Sequence, residues 1–169
     1  RDLPNEPGHQ ALIRQWKQMP HLVGIEKIVG TSIPGPPELV ERDQVGMADQ
    51  VVDGDGKVRR MLLSLRNDGG LHLGLALKLA LVYLEQDGII PTPLNNNQIQ
   101  VGQARLKPFR PNDGGYIRAD AGGYQMLLNY RGTHHQFETI SLTDVLAGRV
   151  KREAIADRIV LIGAIAETV

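Results

Sequence analysis

The chain contains no cysteine. Disulfides, thiolate nucleophiles and cysteine-ligated zinc or iron–sulfur centres are therefore excluded, while the redox compartment stays open. Aromatic residues make up only 4%, which removes the stacking platforms that hold single-stranded nucleic acids. Neither sign of charge is in excess: 19 Lys and Arg stand against 19 Asp and Glu. With no basic block there is no electrostatic footprint for nucleic acid or for an anionic membrane surface. No apolar run reaches the roughly 18 residues of a membrane-spanning helix. The sequence starts at Arg1 with neither a start methionine nor a leader, and it is expected to be excised from a longer protein.

The 169 residues, 41% hydrophobic and 22% charged, suffice for one domain with a substantial core. The sharpest local pattern is residues 51–65, VVDGDGKVRRMLLSL. Two strand-forming runs flank Asp53-Gly54-Asp55-Gly56, a composition that supplies positive-φ positions and side-chain-to-backbone hydrogen bonds, so a tight hairpin is predicted. Strand alternation sends Arg59 and Arg60 to opposite faces, and at most one can face the core. The two arginines suit an anion or carboxylate clamp; the alternative is local pairing with Asp53 and Asp55. A calcium loop fails on spacing, because Val58 and Ser64 stand where such a loop needs Gly and Glu.

Elsewhere the periodicity predicts a helix over 9–19, starting near Asn5 or Glu6, then a strand over 22–29 and an irregular loop over 31–37. A second turn at 66–70 precedes the strongest helix, 71–86, apolar around most of its circumference and expected to be buried on more than one side. Residues 94–103 read as an edge or surface strand and 124–130 as another strand. The pairs Gly114-Gly115 and Gly122-Gly123 read as hairpin turns, since neither leads into the Lys-Ser/Thr ending of a phosphate-binding loop. Ser141 with Asp144 three places on starts a short helix that Gly148 ends, and a further helical turn follows at 152–156. Residues 158–163, RIVLIG, have the wholly apolar form of a central parallel strand, with a pocket expected at 163–167 beyond its carboxyl end. The sum is an α/β fold, a mixed sheet with β-hairpins flanked by helices, in a single domain whose rigid core is helix 71–86 and strand 158–163.

Catalytic chemistry finds no foothold. His134 and His135 are adjacent, but in extended chain their rings diverge and no acid pair completes a metal shell. His72 reads as a helix-start residue bonded to backbone. Ser32, Ser64 and Ser141 sit in no G-x-S-x-G elbow, and no pair of carboxylates has a context that would split two pKa values. No catalytic residue, cofactor or metal is assigned.

The segments RDLPNEPGHQALI, DGDGKVRRMLLSL, LHLGLALKLALVYLEQDGI, Leu128-Asn129-Tyr130-Arg131-Gly132, ISLTDVLAGRV and DRIVLIGAIAET follow one another along nearly the whole chain. In that order they resemble the second type of CHASE domain, the cyclase- and histidine-kinase-associated sensory extracellular domain of bacteria, especially cyanobacteria. The resemblance implies an extracytoplasmic input module over residues 1–169, without the family's first strand and helix. Membrane helices on either side would lead to a cytoplasmic adenylate or diguanylate cyclase, histidine kinase or Ser/Thr kinase. It implies no particular ligand and no catalytic residue. The expected role is to bind a small-molecule or environmental stimulus, with Arg59, Arg60, Arg131, His134 and His135 as candidate contacts. A homodimer is an expected partner, nucleic acid is not, and the membrane is met only through flanking helices. The alternatives are a small hydrolase- or transferase-like enzyme with its pocket at Gly163, and a module that dimerises a receptor without sensing.

Overall fold

The computed structural model describes residues 8–133 and 136–164. Its α/β content falls in two units, Arg1–Leu128 and Asn129–Val169. In the first unit, α1 (His9–Lys17) buries Ile13. A short parallel pair follows, β1 (Gly24–Glu26) beside β2 (Val45–Met47), with Ile25 opposite Gly46. Between them lies α2 (Pro37–Val40), which begins on proline because the first helical turn needs no N–H donor. Leu39 of α2 and Met47 of β2 are each only 1% exposed, the best-buried side chains described. Gln44 fixes the entry into β1: its amide nitrogen donates to the carbonyls of Met19, Pro20 and Leu22 at 3.0, 2.7 and 2.8 Å.

The predicted hairpin is present as β3 (Val51–Val52) and β4 (Val58–Asn67), and the second turn leads to β5 (Gly70–Leu73). Helix α3 (Leu75–Glu85) follows, then a meander of β6 (Pro91–Pro93), β7 (Ile99–Val101) and β8 (Ala104–Leu106), and last β9 (Tyr124–Leu127). Strand β4 is the axis of its sheet. Arg60 pairs with both Val51 and Leu127, and Ser64 with both Leu73 and Tyr124. Because a residue has two ladder edges, β9 takes one edge of β4 while β3 and β5 share the other. His72 ties this sheet to the parallel pair, with Nδ1 2.9 Å from Glu26 Oε1 and Nε2 3.1 Å from Asn67 Oδ1.

Two glycines permit the closest approaches. A Cβ on Gly46 would stand 2.7 Å from the Cα of Leu75, and one on Gly74 would overlap the carbonyl oxygen of Leu62. Strand β2 and the start of α3 therefore cross backbone to backbone, which no larger residue allows.

Several expectations are corrected. Residues 71–73 belong to β5, because Leu71, His72 and Leu73 pair with β4 before the helix begins; His72 consequently bonds side chains on two strands and not a helix-start backbone. The leucines of α3 are half-buried, and its one buried residue is Lys78, whose Nζ lies 2.7 Å from Asp43. The Gly-Gly pairs make no hairpins. Both lie in one irregular loop whose ends are closed by Phe109 N–H donating to Gln125 O at 2.7 Å. Strand β7 is the centre of its meander and not an edge, and its neighbour β6 carries prolines, as an outer strand tolerates.

In the second unit, Ser141 caps α4 (Leu142–Leu146) by accepting from Asp144 N–H at 3.1 Å, and residues Arg152–Ala154 form the further helical turn. The stretch 158–163 forms no strand among the described residues, and Ile162 is 94% exposed. An apolar run demands burial but does not name its ladder partner, so the expected central strand and Gly163 crevice are not found. Residues 165–167 of that crevice lie outside the described residues. The core of the first unit consists instead of Ile13, Leu39, Met47, Leu62, Leu63 and Phe109.

Truncating Leu39 to Ala should cost about 3 kcal/mol through the cavity it leaves. Gly46→Ala, which must push α3 away, should cost at least about 2 kcal/mol. Urea denaturation checks both, as a lower midpoint at unchanged slope.

Candidate functional site

A β-bulge shapes the most polar part of the interior. Val51 faces Arg60 but Val52 faces Val58, so β4 carries one extra residue, Arg59. Bulges twist a strand and re-aim its side chains, and here the re-aiming lets two consecutive arginines reach one carboxylate. Arg60 Nη2 lies 2.6 Å from Asp53 Oδ1, and Arg59 Nη1 lies 3.0 Å from Asp53 Oδ2. Strict alternation is thus relaxed at the bulge, although the burial still differs: the Arg60 side chain is 6% exposed and that of Arg59 is 49%. Arg59 also grips Asp55 with both terminal nitrogens, at 2.9 and 2.7 Å.

Asp53 accepts a third partner from far along the chain, the hydroxyl of Tyr116 at 2.6 Å. Arg60 sits in an aromatic corner, its guanidinium 4.8 Å from the Tyr116 ring centre and 5.1 Å from that of Phe109, the two rings meeting edge to face at 5.2 Å. It donates further to Asp120 O at 2.6 Å and to Gln125 Oε1 at 3.0 Å. Gln125, itself buried, donates back to Gly122 O at 2.7 Å. One guanidinium therefore joins the hairpin turn, the loop of residues 110–123 and β9. Planar, five-donor arginine suits that junction in a way lysine would not.

The electrostatics follow the contacts. The Tyr116 hydroxyl, then Arg60, hold the Asp53 carboxyl below its ordinary value of 3.8, against the opposing effect of burial. Arg59 brings Asp55 down to about 2. The same Asp53 charge pushes the Tyr116 phenol up. Burial opposes the Arg60 charge, and Asp53 more than restores it. Of the two readings offered for Arg59 and Arg60, the structure shows the local one: both arginines pair with the carboxylates of their own turn.

A family model for the CHASE2 domain matches residues 1–169. The chain belongs to the CHASE2 family. CHASE2 is a family of extracellular sensory domains, which accords with the expectation of a sensory input role and of an extracytoplasmic place. No curated protein and no solved structure matches the chain.

For this CHASE2 chain the sequence-based candidates separate. Arg59 and Arg60 converge on Asp53. Arg131 is exposed in the second unit, and His134 and His135 lie outside the described residues. Among the described residues no three His, Asp or Glu side chains gather as a metal would need, and no helix is long and apolar enough to cross a membrane. Tyr116, Phe109 and Gln125 carry no local signal, since each meets Arg60 only in the folded chain.

Arg60→Ala should cost about 3 kcal/mol, since it takes from Asp53 its closest and best-buried cation and empties the aromatic corner, whereas Arg59→Ala should leave the denaturation midpoint close to that of the unchanged chain. Equal effects would show that burial does not distinguish the pair. Because Asp53 and Asp55 are held below their unfolded values, their contribution is complete above about pH 4 and is lost as pH falls towards about 2. A melting-temperature profile against pH should therefore decline over that acid range, and less steeply in Asp53→Asn.

Proposed function

We propose that the domain is the input half of a transmembrane receptor. A stimulus outside the cytoplasm shifts the population between two arrangements of the domain, and flanking membrane helices carry that shift to a cytoplasmic cyclase or kinase. The observation that supports this reading is the junction at Arg60. It ties a long surface loop to the central strand through Asp53, the Tyr116 hydroxyl and the carbonyl of Asp120, so a change at any one of these contacts reaches the loop. A polar interior organised this way suits two alternative packings more than it suits bond-making chemistry.

The shift must distinguish the two arrangements by about 1–3 kcal/mol, or about 5- to 150-fold. Removing the Tyr116 hydroxyl while keeping its ring loosens the loop without emptying the corner. In the intact parent receptor held in membranes, Tyr116→Phe is expected to change basal effector output by at least about fivefold, with the domain still folded by circular dichroism. Unchanged output together with a lowered melting temperature would assign the junction a purely structural part.

A further inference from the structure

The three-stranded meander carries a second concentration of polar groups, apart from the arginine junction. Strand register puts Thr92 opposite Gln100 and Gln100 opposite Arg105, so one face of the meander is polar. The other face carries Pro91, Pro93, Ile99, Val101, Ala104 and Leu106. At the end of the polar face, Leu94 N–H donates to Gln98 O at 2.8 Å and closes a loop in which Asn96 and Asn97 both adopt positive φ, 61° and 56°. Asparagine tolerates that conformation better than other residues with a side chain.

The loop and β8 border a shallow, open notch of about 260 Å³, lined by Leu94, Asn95, Asn96, Gln98 and Arg105. That volume is below the roughly 300–1,000 Å³ of pockets for drug-sized molecules, and suits one small ring. Among the described residues, the side chains of Asn95, Asn96 and Gln98 make no hydrogen bond and Arg105 no ion pair. The notch thus presents three carboxamides and a guanidinium to solvent, without partners among the described residues, around one aliphatic side chain.

We propose that this notch binds a hydroxylated carboxylate of the sugar-acid class. Each carboxamide presents a donor and an acceptor together, which matches a hydroxyl group that is both. Arg105 supplies the planar fork that holds a carboxylate through two parallel bonds. Leu94 offers an apolar floor for the C–H face of a ring. No acid lines the notch, so nothing there would hold the ammonium of an amino acid. A single cation is also too few for a phosphate ester with two charges.

The proposal rests on the sensor reading for its consequence but not for its chemistry. Strand β8 carries Arg105 and Leu106, whose carbonyl accepts the Tyr124 hydroxyl at 3.0 Å, and the chain leaves it to reach Phe109 against Arg60 three residues later. A ligand that fixes Arg105 therefore acts on the segment of chain that leads into one wall of the aromatic corner.

The test is a titration of the ¹⁵N-labelled 169-residue chain with galacturonate, and in parallel with galactose and with sodium sulfate, followed by amide chemical shifts. Saturable shifts at Asn95, Asn96, Gln98 and Arg105 with galacturonate, at least tenfold weaker in Arg105→Ala and partly restored in Arg105→Lys, support the site. Weaker binding of galactose than of galacturonate at the same amides supports the carboxylate contact. An equal response to sulfate reduces the notch to a simple anion site and overturns the proposal, as does no saturation with galacturonate or an undiminished response in Arg105→Ala. Failure here leaves the sensor reading standing. Galacturonate binding at the notch with no change in effector output of the intact receptor would keep the site and remove its link to signalling.

Discussion

The fold of the first unit turns on one carboxylate with three claimants. Asp53 sits in the hairpin turn, its side chain 8% exposed, and accepts from Arg59, Arg60 and Tyr116. Without its negative charge the buried Arg60 has one carbonyl and one amide oxygen but no counter-ion, and a cation in that state is unfavourable by several kcal/mol. Without Arg60, the loop of residues 110–123 loses the donor that reaches Asp120, and β9 loses the partner of Gln125. The bulge at Arg59 is what makes the arrangement possible, since regular alternation would keep the two arginines on opposite faces. A local irregularity in one strand thus sets the position of a distant loop.

How much of this was legible follows from how local each signal is. The Asp-Gly-Asp-Gly turn, the Ser141 cap and the Gly148 stop depend on neighbours within a few residues, and all three stand as the sequence implied. The choice offered for Arg59 and Arg60, an anion clamp or local pairing with Asp53 and Asp55, resolves as local pairing. What failed was non-local. Residues 71–73 have helical composition, yet pairing with β4 overrides propensity. The two Gly-Gly pairs have hairpin composition but sit in a loop governed by the contacts of Tyr116 and Asp120 with the hairpin. The apolar run at 158–163 says that it should be covered and says nothing of what covers it. Tyr116 and Phe109 were invisible for the same reason, because an aromatic corner for a guanidinium has no spacing rule in sequence.

The sensory role rests on family membership, which covers the full chain. The physical architecture places a coupled polar network where a loop, a turn and a strand meet. The meander that carries Arg105 runs directly into that network through Phe109. Recognition at a surface notch and rearrangement at a buried junction would then be steps along one stretch of backbone, with no need for a longer path. Among the described residues the hydrophobic core of the unit is six side chains, from α1, α2, β2, β4 and the loop start at Phe109.

The central claim is that the Asp53 charge, acting through Arg60, holds the loop of residues 110–123 in place. Amide hydrogen exchange at neutral pH on the unchanged chain and on Asp53→Asn tests it most directly. The account predicts lost protection at Phe109 and through the loop to Gln125, while the amides paired between β4 and β5 stay protected. Protection that is unchanged at Phe109, or that falls equally across β4 and β5, would contradict it.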